Sequence, residues 1–310
     1  MVFNLVYFGS PSFSADILKS LITNPIENVK VVAVVTNPDR PTGRHQLLTP
    51  SPIAQLAQQH HLPVFKPDKL DSSNLAHLKL LNPHLFLIAA YGKIIPPEWL
   101  DLPQIAPLNL HFSLLPQYRG ALCIHQAIKN QDRHTGVTLM EVDPELDHGP
   151  IIAQIKQSIS ISDDTASLTK KLTRKAIQLT KVVLPAYLNW HQHKKTTPNT
   201  PGIKIYLPPK TQDHTQASYT PSTSFLNHAN AHIPWSNLQK AINGHQSAAT
   251  HALIRSLNPQ PGAWTDIDQQ PLKILSTTLN QDHLRIDKVQ LPGKNPITWT
   301  QFLSGHPLKI

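Results

Sequence analysis

"VFNLVYFGSPSFSADILKSLITNPIENVKVVAVVT", residues 2–36, decides the fold. Its first eight residues are an apolar run closed by Gly9, and Ser10 and Pro11 follow. Phe13, Ile17, Leu18 and Leu21 then recur at helical spacing. Residues 28–36 form a β-branched run, which predicts a second buried strand. Strand, helix, strand in this order is a βαβ unit, and such units build parallel sheets. Working outward, strands are expected at 84–89, 106–111, 135–142 and 150–156, and helices at 51–61 and 162–190. Ser162 is read as the N-cap of the second helix, ahead of Asp163 and Asp164. The expected class is α/β, a doubly wound (Rossmann-like), mostly parallel sheet.

The helical pattern stops near 191, and polar, Pro-rich sequence runs to about 215. The domains are therefore expected at 1–190 and 216–310, with 191–215 as a linker. The C-terminal part shows short β-like runs, one helix around 235–242 and little apparent core.

Composition sets the function classes. The chain has 310 residues, with 28 Lys and Arg against 19 Asp and Glu, a formal charge of +9. That excess is compatible with a polyanionic partner and equally with simple solubility. Cys123 is the single cysteine, so an internal disulfide is excluded. The apolar run at 2–8 is too short for a secretory segment and lacks a basic flank. No apolar stretch approaches the roughly 20 residues that cross a bilayer. A cytoplasmic protein without membrane attachment is the expectation.

Several chemistries lack their motif. Gly9 stands alone where a dinucleotide turn needs G-x-G-x-x-G. The Walker pattern, H-E-x-x-H and G-x-S-x-G are absent. The 18 histidines lack carboxylate or thiolate companions at ligand spacing, so no metal is expected. What remains is "LNLHFSLLPQYRGA", residues 108–121. Strand alternation puts Asn109 and His111 on one face and Leu108 and Leu110 on the other. In an open parallel sheet, a polar pair at a strand's carboxyl end points into the crevice where ligands bind.

This arrangement, N-x-H-x-S-L-L-P followed by Arg-Gly, resembles the formyltransferases that use 10-formyltetrahydrofolate. Their third motif, L-D-x-G, is matched by Leu146, Asp147 and Gly149. The resemblance implies that Asn109, His111 and Asp147 are catalytic. It also implies folate contacts from Ser113, Leu114, Leu115 and Pro116, and from Ala90, Tyr91 and Gly92 in "AAYGKIIP". The loop "TNPDRPTGRHQLLTPSPI", 36–53, is similar to that of the branch whose acceptor is the amino group of methionine on initiator tRNA. Arg40 and Arg44 would there contact tRNA phosphates. "IRSLNPQPGAWT", 254–265, resembles the same branch's OB-like, tRNA-binding C-terminal domain. A monomer binding folate and initiator Met-tRNA is implied.

Three positions depart from the pattern. Phe112 stands where the family usually carries glycine, and His45 and Gln46 stand where lysines follow the loop arginine. The C-terminal region is short for a full OB-like barrel, and residues 206–310 hold eight Lys/Arg against five Asp/Glu, a net of only +3. Two rivals stay open: a folate-dependent formyltransferase for a small amine or amino-sugar nucleotide, and a non-catalytic RNA- or folate-binding relative. Ser113 beside His111 also fits the residue types of a Ser/His/Asp hydrolase, without its nucleophile elbow.

Overall fold

The computed structural model describes residues 1–42, 46–193 and 198–306. Along the first part of the chain lie β1 (Phe3–Gly9), α1 (Ser12–Thr23), β2 (Val29–Val35), β3 (Arg40–Thr42), β4 (Leu47–Thr49), α2 (Pro52–Gln59), β5 (Val64–Phe65), α3 (Ser72–Lys79), β6 (Leu85–Ala89), α4 (Pro97–Leu100) and β7 (Ala106–His111). There follow α5 (Cys123–Lys129), β8 (His134–Glu141), β9 (Ile151–Ser158), α6 (Thr165–His191) and β10 (Ile203–Lys210). The remainder comprises α7 (Trp235–Ile242), α8 (Ser247–Leu257), β11 (Trp264–Ile267), β12 (Gln270–Asn280), β13 (His283–Gln290), β14 (Ile297–Thr298) and α9 (Trp299–Gly305). Two compact units result: 1–121 with 136–157 and 170–219, and 122–135 with 158–169 and 220–310.

The first unit is built on an eight-stranded sheet in the order β10-β9-β8-β7-β6-β1-β2-β5. β1 pairs in parallel with β2 and β6, and β6 with β7, so the expected βαβ unit forms the centre. β7–β8 and β9–β10 are antiparallel. β1 is buried on both faces, which explains its unbroken apolar run. Val6, Phe8, Phe86 and Ile88 pack with Leu78 of α3 and Trp99 of α4 on one side. Ile17 and Leu18 of α1 and Ile53 of α2 are buried, and α1 and α2 pack together and reach β1 and β2. Helices thus cover both faces, and the sheet is doubly wound.

Gly9 has a packing role. A Cβ there would lie 2.1 Å from Ser14 Oγ and 2.9 Å from the Ala89 carbonyl oxygen. Ser14 Oγ donates to that same carbonyl at 2.7 Å, and Tyr7 Oη reaches the Ser14 carbonyl at 2.9 Å. The lone glycine therefore draws the ends of β1 and β6 onto α1.

Some local expectations need correction. Asp164, not Ser162, caps α6: its Oδ1 accepts from Ser167 N at 2.8 Å. The stretch 191–215, expected as a linker, contains β10, whose Ile203, Lys204 and Ile205 pair with Ile155, Gln154 and Ala153. β10 is an edge strand, which is where a sheet tolerates residues such as Pro208 and Pro209. Residues 122–135 and 158–169, expected in the first domain, group with the C-terminal unit.

The second unit carries the four-stranded antiparallel sheet β11-β12-β13-β14. It has a substantial core, contrary to the sequence expectation: Leu238, Ile254, Leu272, Ile274, Leu284, Ile286, Val289 and Phe302 are all buried in one cluster. α8, at Ser247–Leu257, is a helix beyond the single one expected, and it supplies Ile254 and Leu257 to that core. The sheet is an open meander with β11 and β14 at its edges, a reduced form of the expected barrel. α9 starts at a capping box between Thr298 and Gln301.

Candidate active site

Asn109 and His111 lie on β7, at the carboxyl ends of the central parallel strands. Asp147 lies in the loop between β8 and β9, in the left-handed region at φ 48°. The fold brings the three together. Asn109 Nδ2 donates to Asp147 Oδ1 at 3.3 Å, and Asp147 Oδ2 lies 3.5 Å from His111 Nδ1. Oδ2 also accepts from Gly120 N at 2.7 Å. His111 Nε2 faces the Tyr118 carbonyl oxygen at 2.9 Å. A carbonyl only accepts, so Nε2 carries hydrogen and donates. The His111 ring is 6% exposed and the Asp147 carboxylate 13%, which limits competition from water. Asn109 is half-buried, and the second hydrogen on its Nδ2 has no partner among the described residues.

The loop carrying Asp147 is fixed by its own sequence. A Cβ at Gly149 would lie 2.1 Å from the Glu141 carbonyl oxygen, so only glycine permits this approach. Gln212 Nε2, from the segment after β10, donates to the Asp147 carbonyl at 2.9 Å and to the Gly149 carbonyl at 2.8 Å. Sequence reasoning missed Gln212, Tyr118 and Gly120. Gly120 (φ 104°) left a signal, since it closes the Arg-Gly pair; Gln212 left none.

The turn "SLLP" is held internally. Ser113 Oγ donates to the Gln117 carbonyl at 2.6 Å, Thr138 Oγ1 to the Ser113 carbonyl at 2.7 Å, and Leu115 N to Thr138 Oγ1 at 3.1 Å. Leu115 is buried against Met140 and Ile151, while Leu114 and Pro116 are half-buried. Among the described residues Ser113 and His111 share no hydrogen bond, and the Ser113 hydroxyl is fully buried, so no Ser–His nucleophile pair exists. Phe112 is occupied in packing: it is buried, with its ring 5.2 Å from that of Phe13.

Ala90 and Gly92 present exposed backbone in the left-handed region, at φ 54° and 81°. The Tyr91 side chain is packed in the core. Its ring is buried edge-on to Phe8 at 5.5 Å, and burial pushes its hydroxyl up to about 12. The Tyr91 carbonyl instead accepts from Asn37 Nδ2 at 2.9 Å, and the same nitrogen reaches Ser10 Oγ at 2.9 Å. The turns after β1, β2 and β6 are thereby tied into one rim.

The formyl transferase family profile matches residues 3–184, more than half the chain, and the profile of the formyl transferase C-terminal domain matches 228–283. The chain belongs to the formyltransferase family. A curated formyltransferase of Lysinibacillus sphaericus, methionyl-tRNA formyltransferase, is 34% identical over 99% of this chain and 97% of its own. Among solved formyltransferases, an N-formyltransferase from Helicobacter canadensis, in complex with folinic acid and dTDP-3-aminofucose, aligns with TM-score 0.61 at 22% identity, covering 90% of this chain and 88% of the other. Methionyl-tRNA formyltransferase from Clostridium thermocellum aligns with TM-score 0.56 at 14% identity, covering 94% and 99%. At these identities both share the formyltransferase fold.

Of the two arginines expected at tRNA, Arg40 is exposed on the β3–β4 hairpin, opposite Thr49. Arg44 lies outside the described residues. No helix among the described residues is long and apolar enough to cross a membrane.

Proposed function

We propose that this formyltransferase moves the formyl group of 10-formyltetrahydrofolate to the α-amino group of methionine on initiator tRNA, in the cytoplasm and as a monomer. The observation that carries the chemistry is the convergence of Asn109, His111 and Asp147 at the ends of the parallel strands. Near full-length similarity to curated methionyl-tRNA formyltransferases carries the acceptor.

A formamide is a stable acyl donor. Attack by an amine builds negative charge on the formyl oxygen, and donors placed at that oxygen supply the largest single stabilisation. The second Asn109 Nδ2 hydrogen meets that need, and His111 Nε2–H does so when the formyl oxygen displaces the Tyr118 carbonyl from it. Asp147, beside His111 Nδ1, accepts the proton that the ammonium must release, directly or through water. The nitrogen of the donor leaves with a proton, and no covalent enzyme intermediate forms. Exposed residues Ala90 and Gly92, with the half-buried Leu114 and Pro116 of the "SLLP" turn, suit the flat, amide-rich edge of a pterin, while Ser113 and Leu115 are buried and hold the turn in place. The Tyr91 ring is excluded from that contact by its burial, leaving its backbone.

The test is formyl transfer by the purified chain with 10-formyltetrahydrofolate and either charged initiator tRNA, free amines or an amino-sugar nucleotide. Transfer to Met-tRNA at a kcat/KM well above that for any small amine supports the reading. Preference for a small amine, or no turnover on any acceptor, removes it.

Arg40 and Arg44 are proposed as phosphate contacts on the acceptor tRNA. Replacing both by alanine is expected to weaken initiator tRNA binding at moderate salt. The plot of log affinity against log salt should flatten by roughly 0.7–0.9 for each phosphate no longer neutralised. Unchanged affinity and slope would take tRNA binding away from this hairpin.

A further inference from the structure

The turn that holds Tyr118, Arg119 and Gly120 touches the catalytic set on two sides: the Tyr118 carbonyl accepts from His111, and Gly120 N donates to Asp147. What holds that turn, and the Asp147 loop opposite it, comes from residues 212–219, just after β10. Tyr118 N donates to Ser218 Oγ at 2.9 Å and Arg119 N to the Ser218 carbonyl at 2.8 Å. Arg119 is 2% exposed, and its guanidinium hydrogen bonds run to Gln212 Oε1 at 2.8 Å, His214 Nδ1 at 2.8 Å and Tyr219 Oη at 3.1 Å.

Gln212 is 4% exposed, and its amide orientation is not ambiguous. Its nitrogen lies between two carbonyls, which only accept, and its oxygen faces a guanidinium, which only donates. Both amide hydrogens thus fasten the backbone on either side of His148, at Asp147 and at Gly149. Asp147 itself sits at a positive φ, a conformation that aspartate tolerates better than most residues but that still costs energy. Remove the amide, and two inward carbonyls lose their donor while the loop is free to relax.

We propose that Gln212, oriented by the buried Arg119, is a positioning residue for formyl transfer: it fixes the loop that sets Asp147 against Asn109 and His111. The inference rests on the reading of that trio as the catalytic set. It assigns to the segment after β10, part of the first unit, a role in the chemistry.

Three variants of the full chain test it. Gln212→Glu and Gln212→Met keep the side-chain length and remove the donors. Gln216→Ala, on an exposed residue bonded to Asp213, is the control in the same segment. In Gln212→Glu and Gln212→Met, kcat should fall by about 100-fold, the scale of a catalytic group displaced by 1 Å. KM for the formyl donor and for Met-tRNA should stay within about twofold, because such a loss acts in the transition state alone. Gln216→Ala should behave as the parent. A second reading is independent of turnover: the ring-nitrogen NMR titration of His111 should shift in the Gln212 variants in the same direction as in Asp147→Asn. A kcat within about twofold of the parent would overturn the proposal, as would a loss that merely tracks the folded fraction in thermal unfolding. If the parent itself formylates nothing, the catalytic reading fails, and an unshifted His111 titration would then also sink the positioning role.

Discussion

His111→Ala is expected to lower kcat for formyl transfer by about 10³-fold, with the protein folded and tRNA binding intact. Removing one oxyanion donor costs roughly 10²–10³, and loss of a proton-handling group roughly 10²–10⁴. The imidazole is buried and touches both the Tyr118 carbonyl and the Asp147 carboxylate. Its removal therefore takes away the donor to the formyl oxygen and leaves the carboxylate without its imidazole neighbour. Single-turnover formylation of Met-tRNA measures the step directly. A variant with near-parental turnover, prepared free of host enzyme, would strip His111 of its role.

Asp147→Asn is the second large effect, a fall in kcat of about 10²–10⁴. The carboxylate serves Asn109 with one oxygen, and Gly120 N and His111 with the other. An amide of the same shape has one acceptor, so whichever way it turns, an NH₂ meets a donor. The variant also loses the proton acceptor for the incoming ammonium. Expected is a collapse of kcat with little change in KM for either substrate, the pattern of an interaction made only in the transition state. A variant that raises KM alone would mean that Asp147 binds substrate and takes no part in the chemistry.

The sheet was readable because its central strands are apolar runs, β1 buried almost throughout and β2 in its second half. "FNLVYFG" and "VKVVAVV" need no partner information to announce themselves, and β7 ends at His111 as its alternation predicts. Asn109 and His111 were legible because they are adjacent on one strand face, and Asp147 because its motif travels with Gly149. β10 was not legible, since Pro208 and Pro209 read as loop until the strand is seen at a sheet edge. Gln212 lies 65 residues beyond Asp147 and 93 beyond Arg119, and nothing local distinguishes its amide from that of any exposed glutamine. Phe112, the departure beside His111, is buried with its ring packed on Phe13. The C-terminal core was hidden by dispersion, as Leu238, Ile254, Ile274 and Phe302 come from four separate elements.

The measurement that bears most directly on the joint action of the three side chains is single-turnover formyl transfer in the series Asn109→Ala, His111→Ala, Asp147→Ala and the combined triple variant. Groups that act as one unit lose nearly everything with the first removal. A shared site predicts a triple variant no slower than the slowest single variant by more than a few-fold. Losses that multiply, each replacement adding its full factor to the others, would contradict a joint catalytic site built from these three side chains.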